Sequence, residues 1–321
     1  MTIKTTSLGG TDWSDGDVLY ADDLLDTLKI QMLASRNAFN SIPNGATGPY
    51  LVDFSMSSGT ATLTRGVPHI FESFTMSGGT LTTDSDSAND GKPLIIIVGG
   101  NVSLTGGTID LDGKGFAGGT ITNTTADTYT GDGVDLSSFA TSKTTGGGNG
   151  GRANDIGGGG GGGAGANAAG SNGTDATGGG GNGGTAGTFV AWPAGEQPDD
   201  LAHAFNAFCG AGGGIGGGGN NGTPDAPGGN GGGALILVAS GDLNFGASAT
   251  ITADGANGTA AGDTDGGGGG GGGGGTVVLL CDGTLTNSGT ITHTAGSGGA
   301  SDTDGGAGGN GGAGQTYANT F

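Results

Sequence analysis

An unbroken run of ten glycines at 266–275, with a second of seven at 157–163, constrains this chain more than any other feature. Glycine loses more conformational freedom on ordering than any other residue, so such runs are either flexible linkers or segments held in a geometry that only glycine fits. Collagen is excluded, because its triple helix needs Gly at every third position with abundant Pro, and here 84 glycines accompany 8 prolines in 321 residues. Flexible linkers mix in Ser, Lys and Glu, whereas these runs are broken mainly by Ala and Asn. That composition favours packing. The expected form is a bundle of polyproline-II-type glycine helices with three residues per turn, in which ten residues at ~3.1 Å each span ~31 Å. Neighbouring chains then lie so close that an inward Cβ clashes, and backbone N–H and Cα–H groups bond to carbonyls next door.

Between the glycine runs lie short segments of Thr, Val, Ile and Leu that read as strands and recur. Phe74-Thr75-Met76-Ser77-Gly78-Gly79-Thr80-Leu81 matches Val102-Ser103-Leu104-Thr105-Gly106-Gly107-Thr108-Ile109, and Thr108-Ile109-Asp110 matches Thr250-Ile251-Thr252. A fourth copy aligns Val277-Val278-Leu279-Leu280 with Leu235-Ile236-Leu237-Val238 and Thr290-Ile291-Thr292 with Thr250-Ile251-Thr252. Each unit is an apolar strand, a turn, a strand, a Gly-rich corner and a strand. Leu94-Ile95-Ile96-Ile97-Val98 is apolar at consecutive positions, which requires burial on both faces. The fold class expected is mainly β: stacked solenoid-like rungs, or a β-sandwich of the same spacing, with packed polyglycine-II segments and a short N-terminal helix. The units expected are 1–49, a compositionally ordinary first segment; 50–113, a β-repeat platform; 114–233, a Gly-rich insertion with non-glycine loops; and 234–321, further repeats with Gly-rich segments.

Acids outnumber bases 29 to 8, for a formal charge of −21, which makes nucleic acid and anionic lipid poor partners. Nearly all the acids are Asp, whose short carboxylate is expected to cap its own turn a residue or two on. The N-terminus lacks the apolar run of a signal peptide and no stretch is long enough to span a bilayer, so a protein made in a cytoplasm without membrane insertion is expected. Cys209 and Cys281 read as buried small hydrophobes. The run 22–36 places Leu25, Leu28, Met32 and then Phe39 on one helical stripe, too little to bury alone, so this helix is expected to pack in an oligomer or on another protein.

Asp12-Trp13-Ser14-Asp15-Gly16-Asp17-Val18-Leu19-Tyr20-Ala21-Asp22-Asp23-Leu24-Leu25 resembles the W-x-D-G-D-x-x-x-A-x-x-L opening of many tailed-phage and tailed-virus fibre proteins. The Gly-rich remainder, 114–320, is similar in composition and layout to the distal adhesins of T-even-type phage fibres, whose polyglycine helices form a sandwich displaying receptor-binding loops. The resemblance implies a virion structural protein of the tail, a homotrimer docked to other tail or fibre proteins through 1–49, that binds a host surface receptor. It implies no enzyme.

Aromatics are scarce, yet Tyr129 and Phe139 fall in one non-glycine island and Phe189, Trp192, Phe205 and Phe208 in another, beside His203 and Asn206. Rigid aromatics with polar neighbours suit a glycan or protein surface, which makes Trp192 and Tyr129, with His203, Phe139, Phe189 and Asn206, the expected receptor contacts. Leu201, Phe205 and Phe208 also fit one amphipathic turn packed inward. Asp263-Thr264-Asp265-Gly266 and Asp302-Thr303-Asp304-Gly305 share the D-x-D-G opening of a calcium loop but lack its later Glu, so calcium at Asp263, Asp265, Asp302 and Asp304 is the one cofactor to consider. A tailspike depolymerase would need paired carboxylates such as Asp110 and Asp112, but Asp112-Gly113 recurs as Asp254-Gly255, which a turn explains. His69, His203 and His293 have no partner at ligand spacing. Thr-x-Thr segments resemble those of ice-binding solenoids, a reading that the virion-like opening and the missing secretion signal argue against; a purely structural solenoid is the remaining alternative.

Overall fold

The structure, a computed structural model, describes residues 52–85, 91–120, 146–153, 156–188, 209–219 and 226–320. The helix expected at Leu25, Leu28, Met32 and Phe39 lies outside the described residues. Within them the chain is mainly β, and one short 3-10 turn at Thr177–Gly179 is its helical content.

Strands β1 (Val52–Met56), β2 (Thr60–Leu63), β3 (Pro68–Thr83), β4 (Leu94–Val98) and β5 (Val102–Asp110) come first. A small antiparallel pair follows, β6 (Arg152–Ala153) with β7 (Ile156–Gly157). The rest are β8 (Leu235–Ala239), β9 (Leu243–Phe245), β10 (Ala249–Thr252), β11 (Thr276–Cys281), β12 (Leu285–Asn287), β13 (Thr290–Thr292) and β14 (Gln315–Thr320). Apart from β6 and β7, all belong to one twelve-stranded, wholly parallel sheet that curls nearly closed.

The sheet has three parallel ladders, and the sequence repeats are their register. One runs from the start of β3 through β4, β8, β11 and β14, with Val277 opposite Leu235. The second runs from β1 through the middle of β3 to β5, β9 and β12, with Phe74 opposite Val102. The third runs from β2 through the ends of β3 and β5 to β10 and β13, with Ile251 opposite both Ile109 and Ile291. A register slip of one residue would turn each inward side chain out to water, so the alternating apolar positions hold this alignment.

Phe74, Met76, Leu81, Leu104, Ile109, Phe245 and Ile251 fill the space enclosed by the ladders. Phe54 stacks on Phe74 with ring centroids 4.4 Å apart. The first ladder is apolar on both faces, as the consecutive run in β4 requires. Leu94, Ile96, Leu235, Leu237, Val277 and Leu279 face inward, while Ile95, Ile97, Ile236, Val238, Val278 and Leu280 form a second cluster outside with Phe116 and Cys209. Cys209 and Cys281 are both buried, as their small apolar character suggests, and neither is in a disulfide.

Each glycine excursion leaves after a strand of the third ladder and returns to a strand of the first: β5 to β8, β10 to β11, β13 to β14. The extended segments of these excursions lie side by side and bond across rather than within themselves. In 267–275 the donors go to three neighbours in strict rotation: Gly267, Gly270 and Gly273 to Gly217, Gly214 and Ala211; Gly268, Gly271 and Gly274 to Gly306, Gly309 and Gly312; Gly269, Gly272 and Gly275 to Thr259, Ala256 and Ala253. Its carbonyls accept from three further segments, through Gly160, Gly163 and Ala166, through Gly296 and Gly299, and through Gly229 and Gly232. The run 157–166 is surrounded in the same way, by 148–151, 171–174, 184–187, 211–217, 268–274 and 306–312. Each of the two uninterrupted glycine runs is thus enclosed by six segments. A Cβ at positions 267–275 would fall within 3.0 Å of a neighbour's carbonyl, which excludes any other residue.

At the outside of the block the third position of each turn points outward, and there side chains reappear. In 181–188 Gly181, Gly184 and Gly187 are buried while Asn182, Thr185 and Thr188 are exposed. The Asx residues do not mainly cap their own turns, as the sequence suggests; they reach to a neighbouring segment. Asn230, Asn257, Asn172 and Asp175 accept from the N–H groups of Gly118, Ser297, Ala186 and Gly183 at 2.7–2.9 Å. Where the block has no further chain to supply a carbonyl, a side-chain oxygen takes its place.

Candidate functional site

One end of the glycine block is rooted on the sheet, where Gly275 donates to Ala253 and Gly314 to His293. The opposite end is a set of turns. Gly157 donates to the Asp265 carbonyl, Gly306 to Gly157, Asp302 to Gly266 and Thr177 to Asp304, so the β6–β7 pair and the turns 175–181, 261–266 and 301–305 are neighbours there. Gly219 packs against Thr264 and Gly266 at the same end, and residues 220–225 lie outside the described residues.

The two Asp-Thr-Asp-Gly sequences meet at this tip. Asp265 sits in the left-handed region at φ 65°, which the short Asp side chain tolerates, and its neighbour Gly266 turns the chain into the central run. Asp302 makes the local cap expected of it, accepting the N–H of Thr303 at 2.8 Å and its hydroxyl at 3.2 Å. Asp304 accepts the Thr177 hydroxyl at 2.9 Å through its carboxylate. The tip therefore presents Asp175, Asp302 and Asp304 exposed, with Thr264 and Thr303 between, on a backbone that its bonds hold fixed. The calcium candidates are brought together as neighbouring turns, but among the described residues no group of three or more His, Cys, Asp or Glu side chains is placed to hold a metal ion.

Asp110, Asp112 and Asp254 gather at a corner of the third ladder. Asp112 accepts the N–H of Asp254 at 2.8 Å, and Asp254 accepts the N–H of Thr294 and, at 3.0 Å, the hydroxyl of Thr292. Each carboxylate ties one layer of the stack to the next, a structural duty that accounts for the recurrence of Asp-Gly. Burial pushes the Asp112 carboxyl above the ordinary carboxylate range, and the charges of Asp254 and Asp110 add to the rise, against the lowering effect of the Asp254 N–H and the Thr252 hydroxyl. Burial likewise raises the Cys281 thiol and the Tyr317 phenol.

The expected receptor contacts Trp192, Tyr129, His203, Phe139, Phe189 and Asn206 all lie outside the described residues. Their segments are anchored at Thr120, Gly146, Thr188 and Cys209, and Cys209 is buried in the outer apolar cluster. His69 bonds the Thr64 carbonyl at 2.8 Å through Nε2, and the backbone carbonyl of His293 accepts the Gly314 N–H. Sequence reasoning missed the tip as a unit; the two Asp-Thr-Asp-Gly sequences, each placed just before a glycine run, were the signal for it. With this geometry in hand, no protein family, curated protein or solved structure matches the chain.

Proposed function

We propose that the chain is a receptor-binding tip protein of a viral tail fibre, in which a β-solenoid root carries a polyglycine-II block whose far turns and side loops meet a host surface. The observation that carries this reading is the threefold rotation of donors along 267–275, with six neighbouring segments around it. A helix with three residues per turn sends successive N–H groups in three directions, which is the bonding of a polyglycine-II bundle. The two uninterrupted runs of such a block carry no side chains to adapt, so it is a rigid post, and rigid scaffolds with turns grouped at one end are how recognition loops are held. The acidic, hydroxyl-rich tip suits a polar partner such as a surface glycan or the basic face of a surface protein.

In this reading Trp192 and Tyr129 are the aromatic contacts, with Phe139, Phe189, His203 and Asn206 around them, and 1–49 joins a homotrimer to the rest of the tail. The test is direct. Fluorescently labelled full chain, applied to a panel of bacterial strains, should bind a subset saturably and be displaced by unlabelled protein. The Trp192→Ala/Tyr129→Ala variant should keep its mass and melting temperature and lose binding. Folded protein that binds no strain removes the function, and undiminished binding by the variant removes the residue assignment.

A further inference from the structure

The outward side of the third ladder is a two-column threonine array. Register places Thr60, Thr80, Thr108, Thr250 and Thr290 in one column and Thr62, Thr82, Asp110, Thr252 and Thr292 in the other. None of the ten is buried, while Leu81, Ile109 and Ile251 between the columns point inward and are at most 1% exposed. Parallel strands repeat about 4.8 Å apart and alternate side chains on one strand about 6.6 Å apart, so the array is periodic in two directions. We propose that this face adsorbs to ice.

The argument begins with the side chain. Thr is stiff at χ1, so each position offers one hydroxyl and one methyl in a restricted orientation, and little entropy is lost when a surface settles on it. The sheet beneath is held by the buried core, and the second column is pinned further. Thr82 donates to the Asp110 carbonyl at 2.9 Å, Thr252 to the Asp110 carboxylate at 3.4 Å, and Thr292 to Asp254 at 3.0 Å. Those bonds use the hydroxyl protons and leave methyl groups and oxygen lone pairs at the surface. Asp110, the one non-threonine, is engaged by the Asp112 N–H at 3.1 Å as well.

What can meet all ten positions at once must itself repeat in two dimensions. A folded protein does not, and a single glycan chain repeats in one. Ice and a crystalline polysaccharide both do, but polysaccharide faces are gripped by stacked aromatics, and neither column contains one. Water held by hydroxyls and methyls at fixed spacings is the remaining lattice. The virion-like opening argues against this reading of the Thr-x-Thr segments; the two-column register, on a face other than the tip, is what supports it.

The experiment measures thermal hysteresis and ice-crystal shaping by the full chain, and its capture into a slowly growing ice hemisphere. The wild type should hold a freezing gap above that of buffer, give faceted crystals and enter the ice. Thr108→Lys/Thr250→Lys, in the centre of the array, should lose all three while circular dichroism and binding to cells stay as in the wild type. If that pair does not fold, Thr60→Lys/Thr290→Lys, on the two outermost strands, replaces it with the same expectation. A wild type without hysteresis overturns the proposal, as do folded variants that keep it, or retention on microcrystalline cellulose or chitin without any effect on ice.

Discussion

The side-chain oxygen of Asn310 accepts the backbone N–H of Gly298 at 2.9 Å, twelve residues back and on a neighbouring segment of the glycine block. The amide thus does for Gly298 what the carbonyl of another glycine chain does for the donors further in. Asn310→Ala should destabilise the fold by about 0.5–1.5 kcal/mol, the net worth of one hydrogen bond, and Asn310→Asp should restore most of it. Native-state hydrogen exchange checks this locally, because the Gly298 amide should exchange faster in the Ala variant alone.

Gly150 and Gly151 are adjacent yet not equivalent. A Cβ at Gly150 would overlap the Gly158 carbonyl, whereas at Gly151 the nearest atom is 3.4 Å away, an ordinary contact. Gly150→Ala should therefore cost ~1–3 kcal/mol or more, as overpacking does, and Gly151→Ala should be close to neutral. Urea melts of the two variants decide it; equal losses would remove the enclosed geometry.

Asp112 binds its proton more tightly folded than unfolded, since burial raises its carboxyl above the ordinary value. The stability it contributes is therefore full below the unfolded value of about 3.9 and is lost as pH rises through the folded value. Asp112→Asn keeps an oxygen for the Asp254 N–H and removes a charge that is partly desolvated at its hydrogen-bonded side. Its melting temperature should exceed the wild type's at pH 7, and the gap should close in acid. A gap that stays constant across pH would mean that burial of the charge is not the cause.

Asn149, Asn172, Asn182, Asn230, Asn257 and Asn310 each precede a glycine, the pairing most prone to deamidate by attack of the following nitrogen on the side-chain amide. In each case that glycine N–H is donated elsewhere, to Ile215, Gly184, Asp175, Phe116, Ser297 and Gly296 respectively. Peptide mapping after warm incubation should find these sites intact in native protein and converted to isoaspartate in urea. Equal rates in both conditions would show that the block does not hold them.

Much of the sheet was legible because its cause is local. The alternation in Thr250-Ile251-Thr252 sets which side faces in, and the matching runs at 235–238 and 277–280 are the same strand one layer apart. The burial of Leu94–Val98 on both faces followed from having no polar position. The Asx residues were misread because a propensity describes a residue's own turn, and Asp112 acts on Asp254, 142 positions away. The tip was hidden for the same reason. Nothing in Thr177 announces Asp304, and their meeting depends on how many layers of glycine lie between turn and root.

The rotation of donors every three residues sets a rule for how such a chain can change length. Inserting one residue into 266–275 would aim each later N–H at the wrong neighbour, and inserting two would do so in the opposite sense. Inserting three would restore every direction and ask only that the touching segments also grow by a turn. The post is therefore quantised: natural size variants of this architecture should differ by multiples of three along several segments together, while the turns that cap them are released to vary one residue at a time.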